Sequence, residues 1–395
     1  MRVLLAFDKF KDSLTAPEAC AITTEALCDA HPDWTLDACP LADGGEGFCA
    51  ILTHAAGGEL IAATVTGPRG APTAATIGFV PLARIPAAAR ALLNLPATPK
   101  PHDGGSAGNT AATVAVIEMA SASGLALLAE ADRDPWHTTT FGTGELMRLA
   151  QERGAAAILL GVGGSATHDL GLGALAALGL EFESRSGAPI TPPVPAAWPG
   201  LVRISGRITP GVPPVRIACD VTNPLVGPRG AAATYGPQKG LRPADFARLD
   251  AESARVARLL CAQSGQPVTL MDVPGAGAAG GISFGLMTAA GATLLPGFDL
   301  VSAWLDLEAR LGSADLVITG EGRFDDSSLQ GKGPGAVAAR AMALGKKVHV
   351  FAGSATAAHP PANLALHSIT PAGTPLAEAL RHAPANLAAA VRAAF

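Results

Sequence analysis

Apolar runs of strand length alternate with amphipathic stretches at both ends of this chain. Arg2 to Phe7 (RVLLAF) is apolar after its first residue and stops at Asp8, the pattern of a strand buried on both faces of a parallel sheet. Thr15-Ala16-Pro17-Glu18 follows, with a capping hydroxyl, an acid three places on and a proline in the first turn. That combination predicts a helix start. Trp34 to Leu41 reads as a second strand feeding the loop Asp43-Gly44-Gly45-Glu46-Gly47. The same style returns near the C-terminus. Ala314 to Thr319 is a strand ending in Gly320-Glu321-Gly322, Pro334 to Leu344 is a helix with Gly345 behind it, and Lys347 to Phe351 and Leu364 to Ile369 are two more strands.

The middle of the chain is built differently. From Thr64 to about Pro81, short β runs surround Gly67-Pro68-Arg69-Gly70, a hairpin pattern. Arg84 to Gly108, rich in Ala, Pro and Gly, reads as an exposed insertion. Strand and helix alternation resumes at Thr113 and runs through Ile158 to Gly161 and Val215 to Cys219, until a Gly-rich segment ends near Gly291. The expected fold class is α/β: a doubly wound parallel-sheet domain built from residues 1–62 and 291–395, with a second α/β domain inserted at 63–290.

At 395 residues the chain is long enough for two cores. Hydrophobic residues make up 49% and aromatics only 4%, so the interior must be made of Ala, Val, Leu and Ile. A net charge of −5 with no basic stripe speaks against a nucleic-acid partner. The six cysteines show no C-x-x-C spacing and are expected as reduced, mostly buried thiols. Neither a signal nor a transit peptide is recognisable, and a cytoplasmic location is expected. Val273 to Phe298 is uncharged, but glycines, Pro274 and Pro296 interrupt it, so it is read as buried structure rather than a membrane span.

Two groups of residues carry candidate chemistry. In Ala155 to Leu172 a strand-length run empties into Gly163-Gly164-Ser165-Ala166-Thr167 and is expected to continue as a helix, whose first N–H groups, Ala166 to Asp169, would face an anion. The loops after the terminal strands supply Asp8, Lys9, Lys11 and Ser13, then Asp43 and Glu46, then Glu321, Arg323, Asp325, Asp326 and Lys332. Carboxylates beside lysines at the carboxyl edge of a parallel sheet suit Mg²⁺ with a triphosphate. Thr138 to Glu145 is a hydroxyl-rich turn that serves either as a cap or as a second phosphate contact. Asp220 and Asn223, with Lys239 in Gly236 to Gly240, form an inventory suited to a hydroxy acid.

Rival readings stay open on these residues. Gly161, Gly163 and Ala166 satisfy G-x-G-x-x-A, and Gly275, Gly277 and Gly280 satisfy G-x-G-x-x-G, so an NAD(P)-dependent oxidoreductase of a small hydroxy acid is one alternative. A nucleotide-binding sensor without turnover is another. There is no G-x-x-x-x-G-K-[ST], which excludes a P-loop kinase by motif.

The stretches AFDKFKDSLTA (6–16), LADGGEGF (41–48), TTTFGTGELM (138–147), GVGGSATHDLG (161–171), CDVTNPLVGPRGAA (219–232), YGPQKG (235–240), GAGAAGGISFGL (275–286) and ITGEGRFDDSSLQGKGPGAVA (318–338) together resemble the bacterial glycerate kinases of the two-domain type. The resemblance runs over essentially the whole chain. Two positions depart from the family pattern: Asp12, where Gly is usual, and His168, where Asn is usual.

The resemblance implies a flavodoxin-like domain, ATP with Mg²⁺, and D-glycerate converted to 2-phosphoglycerate, with the protein a monomer or a homodimer. On that basis the base is Asp43 or Asp169, with Lys9 also catalytic. Phosphate contacts fall to Gly163, Gly164, Ser165, Ala166 and Thr167 with Lys11, Ser13 and Lys332. Asp8, Asp220, Asn223, Lys239 and Arg323 are assigned to substrate, and Glu321 and Asp325 to metal.

Overall fold

The computed structural model describes residues 1–95, 112–326, 328, 333–357, 361 and 363–395. These form two compact units, Met1–Asp43 with Val301–Phe395, and Gly44–Leu300.

The first unit is a five-stranded, wholly parallel sheet. Its strands, in chain order, are Arg2–Phe7, Thr35–Ala38, Leu316–Phe324, Lys347–Ala355 and Leu364–Ser368. They lie side by side as 2-1-3-4-5, the order of a doubly wound sheet. Val3, Leu5, Phe7, Leu316, Ile318 and Phe351 form a core with Ala19, Cys20 and Leu27 of the helix Ala16–Ala30 and with Leu387 and Val391 of the helix Leu376–Ala394. The predicted capping box is in place: Glu18 N donates to Thr15 Oγ1 at 3.3 Å, and Thr15 N donates to Glu18 Oε2 at 2.8 Å. Phe7 pairs with Gly320, and Gly320 with Phe351. The three strands are therefore level, and Asp8 and Glu321 emerge at one carboxyl edge.

The second unit has a six-stranded sheet whose spatial order is its chain order: Glu59–Thr66, Pro72–Pro81, Thr113–Glu118, Ala157–Gly161, Val215–Ala218 and Thr293–Leu295. The first two pairings are antiparallel, including the hairpin expected at Gly67 to Gly70, and the rest are parallel. A two-stranded ribbon, Leu180–Ser184 with Leu201–Gly206, stands apart from that sheet. Gly161 pairs with both Glu118 and Ala218, so the loops after those residues also collect at one edge. Among the described residues no helix is long and apolar enough to cross a membrane.

The unit boundaries differ from the expected 62/63 and 290/291. Residues 44–62 belong to the second unit because the helix Phe48–Ala55 anchors there: Cys49 Sγ donates to Val116 O at 3.1 Å, and Cys49 N to Glu118 Oε2 at 3.4 Å. Thr293–Leu295 joins the second sheet beside Arg216–Ala218, which carries the later boundary to 300/301. Of the expected insertion at Arg84 to Gly108, Ala87–Leu93 is a helix with Ala89 and Leu93 buried, and residues 96–111 lie outside the described residues.

Candidate active site

The carboxyl edge of the first unit opens into a cavity of about 770 Å³. Asp8, Lys9, Lys11, Ser13, Asp43, Glu321 and Arg323 line it, so residues of all three groups converge, although Glu321 and Arg323 stand within the strand Leu316–Phe324 and not in a loop after it. Asp8 is buried, and its Oδ1 accepts from Lys9 N at 2.7 Å. The exposed Asp43 carboxylate accepts from Lys9 Nζ at 3.1 Å.

The acids in this cavity raise one another. Burial, with the charge of Asp43 added, lifts Asp8 to about 6 against the pull of Lys9. Burial also lifts Glu321 to about 7, with Asp8, Asp325 and Asp43 adding repulsion that a hydrogen bond from Ser328 opposes. Glu321 Oε1 is buried and has no hydrogen-bond partner among the described residues. Such a set gains from a cation. Among the described residues no group of three His, Cys, Asp or Glu side chains converges to hold one alone. Asp325 is turned to Arg323, whose Nε lies 3.0 Å from its Oδ2. Lys332 lies outside the described residues.

Sequence reasoning missed the other wall of the cavity: Gly353, Ser354, Ser368, Ile369, Thr370, Pro371, Thr374 and the helix residues Leu376, Ala379, Leu380 and Ala383. The signal was available. The loops after the fourth and fifth parallel strands open at the same carboxyl edge as the charged ones.

The glycine turn of the second unit is built otherwise than expected. No helix starts at Ala166; residues 166–171 run as an irregular segment, and the next helix is Leu172–Ala177. Ala166 N donates to Ser123 O and Leu170 N to Gly280 O. The buried carboxylate of Asp169 accepts from Thr140 N, Thr140 Oγ1, Gly173 N and Gly171 N at 2.7 to 3.1 Å. Burial pushes Asp169 up while these donors hold it down, and the carboxyl is enclosed rather than presented.

Lys239, expected on substrate, is fully buried beneath this turn. Its Nζ donates to Ser165 Oγ at 2.8 Å and to Thr167 O at 2.6 Å. Burial lowers it to about 7, opposed by the charge of Asp169. Asn223 is occupied by its own loop: Nδ2 donates to Arg229 O and Thr234 Oγ1, and Oδ1 accepts from Tyr235. Asp220 Oδ2 accepts from Phe298 N at 2.8 Å. The hydroxyls of Thr138 and Thr140 also point inward, to Ala166 O and Asp169.

Both glycine patterns that suggested a dinucleotide serve close backbone packing. A Cβ on Gly163 would stand 2.6 Å from Gly45 Cα, and Gly163 N donates to Gly44 O. A Cβ on Gly280 would collide with Thr167 O.

The model of the glycerate kinase family matches residues 3–395 of this chain. The chain belongs to the glycerate kinase family. It is 37% identical to the glycerate kinase of Bacillus subtilis (strain 168) over 393 residues, 97% of this chain and 94% of that protein. With the glycerate 2-kinase of Escherichia coli (strain K12) it shares 38% over 362 residues, 90% of this chain and 86% of the other. The crystal structure of a Salmonella typhimurium LT2 protein, described as glycerate kinase 2, superposes with a TM-score of 0.73 at 36% identity, covering 100% of this chain and 97% of that one. A member of the glycerate kinase family is a phosphotransferase, and the dinucleotide reading falls with the glycines that suggested it.

Proposed function

We propose that this kinase transfers the terminal phosphoryl group of ATP, with Mg²⁺, to the 2-hydroxyl of D-glycerate, giving 2-phosphoglycerate in the cytoplasm. The observation that carries the proposal is the grouping of Asp8, Lys9, Asp43 and Glu321 at the carboxyl edge of a parallel sheet, in a chain of this family. Phosphoryl transfer needs alignment, charge neutralisation and a base at the accepting hydroxyl, and little covalent chemistry from the protein.

Asp43 suits the base: it is exposed in the cavity beside Lys9, whereas Asp169 is enclosed by four donors. Lys9, Lys11 and Arg323 are the cations that would neutralise phosphate oxygens. Glu321, with its unpartnered Oε1, and Asp8 would hold the Mg²⁺, which when bound shields the charge of the phosphates. Ser13 is a lesser candidate, since its hydroxyl donates to Phe10 O at 3.1 Å.

The test is a phosphorus NMR spectrum of the product formed from D-glycerate, ATP and Mg²⁺, beside the kinetics of Asp43→Asn. Expected are 2-phosphoglycerate, and a kcat lowered roughly 10²-fold or more with little change in melting temperature. Formation of 3-phosphoglycerate would overturn the regiochemistry, and a near-normal kcat with a clear drop in melting temperature would make Asp43 a turn residue.

A further inference from the structure

The cavity of the first unit has two chemically different ends. Among the described residues, every charged one lining it lies at residues 8–12, 43 or 321–323, and those from Gly353 to Ala383 carry no charge. That second end is apolar, with Ile369, Leu376, Leu380 and Ala383, and is rimmed by the hydroxyls of Ser354 and Thr374. Leu376 is 74% exposed there, a large apolar side chain with little to cover it.

Glycerate cannot use this wall, because a three-carbon acid with polar groups on every carbon gains nothing from apolar burial. The cavity is also too large for it. Pockets of roughly 300–1,000 Å³ enclose drug-sized ligands, and this one measures about 770 Å³. Among the described residues this wall offers a phosphate chain no cationic side chain, whereas the other end has Lys9, Lys11 and Arg323.

The sheet order supplies the length. The apolar end lies over the strands Lys347–Ala355 and Leu364–Ser368, three strand spacings along from Arg2–Phe7 at the farthest. That separation is about 14 Å at the usual distance between strands, the scale of an extended nucleoside triphosphate rather than of a small acid.

We infer that the Gly353–Ala383 end of this cavity takes the purine base of the nucleotide, its flat faces against Ile369, Leu376 and Leu380 and its polar edge toward Ser354 and Thr374. The inference rests on the proposed ATP-dependent function and adds the place and the residues of base recognition. Ala379, a small residue of the same wall, then sets how large a base can enter.

The experiment measures binding of ATP and of inorganic tripolyphosphate, each with Mg²⁺, by calorimetry on the full-length wild type, Ala379→Trp and Leu376→Ser, with the KM for D-glycerate alongside. Expected is ATP binding at least 10-fold weaker in Ala379→Trp and about 3-fold weaker in Leu376→Ser, while tripolyphosphate affinity and the glycerate KM stay within 2-fold. Equal losses for ATP and tripolyphosphate, or unchanged ATP affinity in both variants, would overturn the base site. If Ala379→Trp does not fold, Leu376→Ser decides alone, because its side chain is exposed. A wild type that neither binds nor consumes ATP sinks the functional proposal itself; a wild type that uses ATP normally, with both variants unchanged, sinks only the base site.

Discussion

Lys239 Nζ lies 2.8 Å from Ser165 Oγ, a bond between residues 74 positions apart, and both groups are buried. It ties the Gly236–Gly240 turn beneath the Gly163–Thr167 turn and makes the lysine a strut. Lys239→Met keeps the bulk and removes both bonds, leaving the Ser165 hydroxyl and the Thr167 carbonyl without their donor. A loss of about 3 kcal/mol is expected, read by urea denaturation. A loss below about 1 kcal/mol would show that the turn holds itself.

Asp169 is expected to behave as a structural acid. Asparagine has a single acceptor oxygen, and its amide nitrogen would face at least one of the N–H donors that now converge on the carboxylate. Asp169→Asn should cost roughly 2–4 kcal/mol while the folded fraction keeps kcat within about 10-fold. The opposite result, an intact melting temperature with kcat down by 10² or more, would return the base to this residue.

His168 predicts a pH dependence. Ser253 donates to Leu249 O, so the imidazole Nε2, 3.1 Å from Ser253 Oγ, is the donor of that pair and the buried Nδ1 carries no proton. Burial, with the charge of Lys239, lowers the ring from 6.5 to about 3. The unfolded chain therefore binds the extra proton first as pH falls. Stability is present above about 6.5 and is lost below it, by about 2 kcal/mol between pH 7 and 5. His168→Asn, which carries the residue usual in the family, should flatten that slope in denaturation curves taken at the two pH values; an unchanged slope would place the titration elsewhere.

Asp12 occupies a left-handed conformation, φ 62°, in the tight turn between Phe10 and Leu14. The glycine usual in the family fits that backbone without a Cβ. Asp12→Gly should raise stability by up to about 1 kcal/mol, visible as a higher melting temperature. A lower one would mean that the aspartate side chain supports the turn.

The site was legible where chemistry follows directly from a strand end. Asp8, Lys9 and Asp43 could be placed at the cavity because each terminal strand announces itself as an apolar run and the residues after it sit at the carboxyl edge, whereas Glu321 lies within the end of its own strand, Leu316–Phe324. The hydroxyl and apolar residues at Ser354, Ile369 and Leu380 carry no such mark. They look like any loop or helix face until the sheet order sets them on the same cavity.

The sequence by itself determined the elements whose causes lie within a few residues: the buried strand Arg2–Phe7, the capping box of Thr15 and Glu18, the hairpin about Gly67 to Gly70, and the α/β class they add up to. Tertiary structure decided who meets whom. It put Asp169 on the N–H groups of Gly171 and Gly173, Gly163 against Gly45, and Lys239 under Ser165. It also moved residues 44–62 into the second unit. Backbone preference and hydrophobic period act over one turn or one strand, so they can be read along the chain. The partner of a buried donor is set by whichever distant segment packs there, and that contact exists only once the chain has closed.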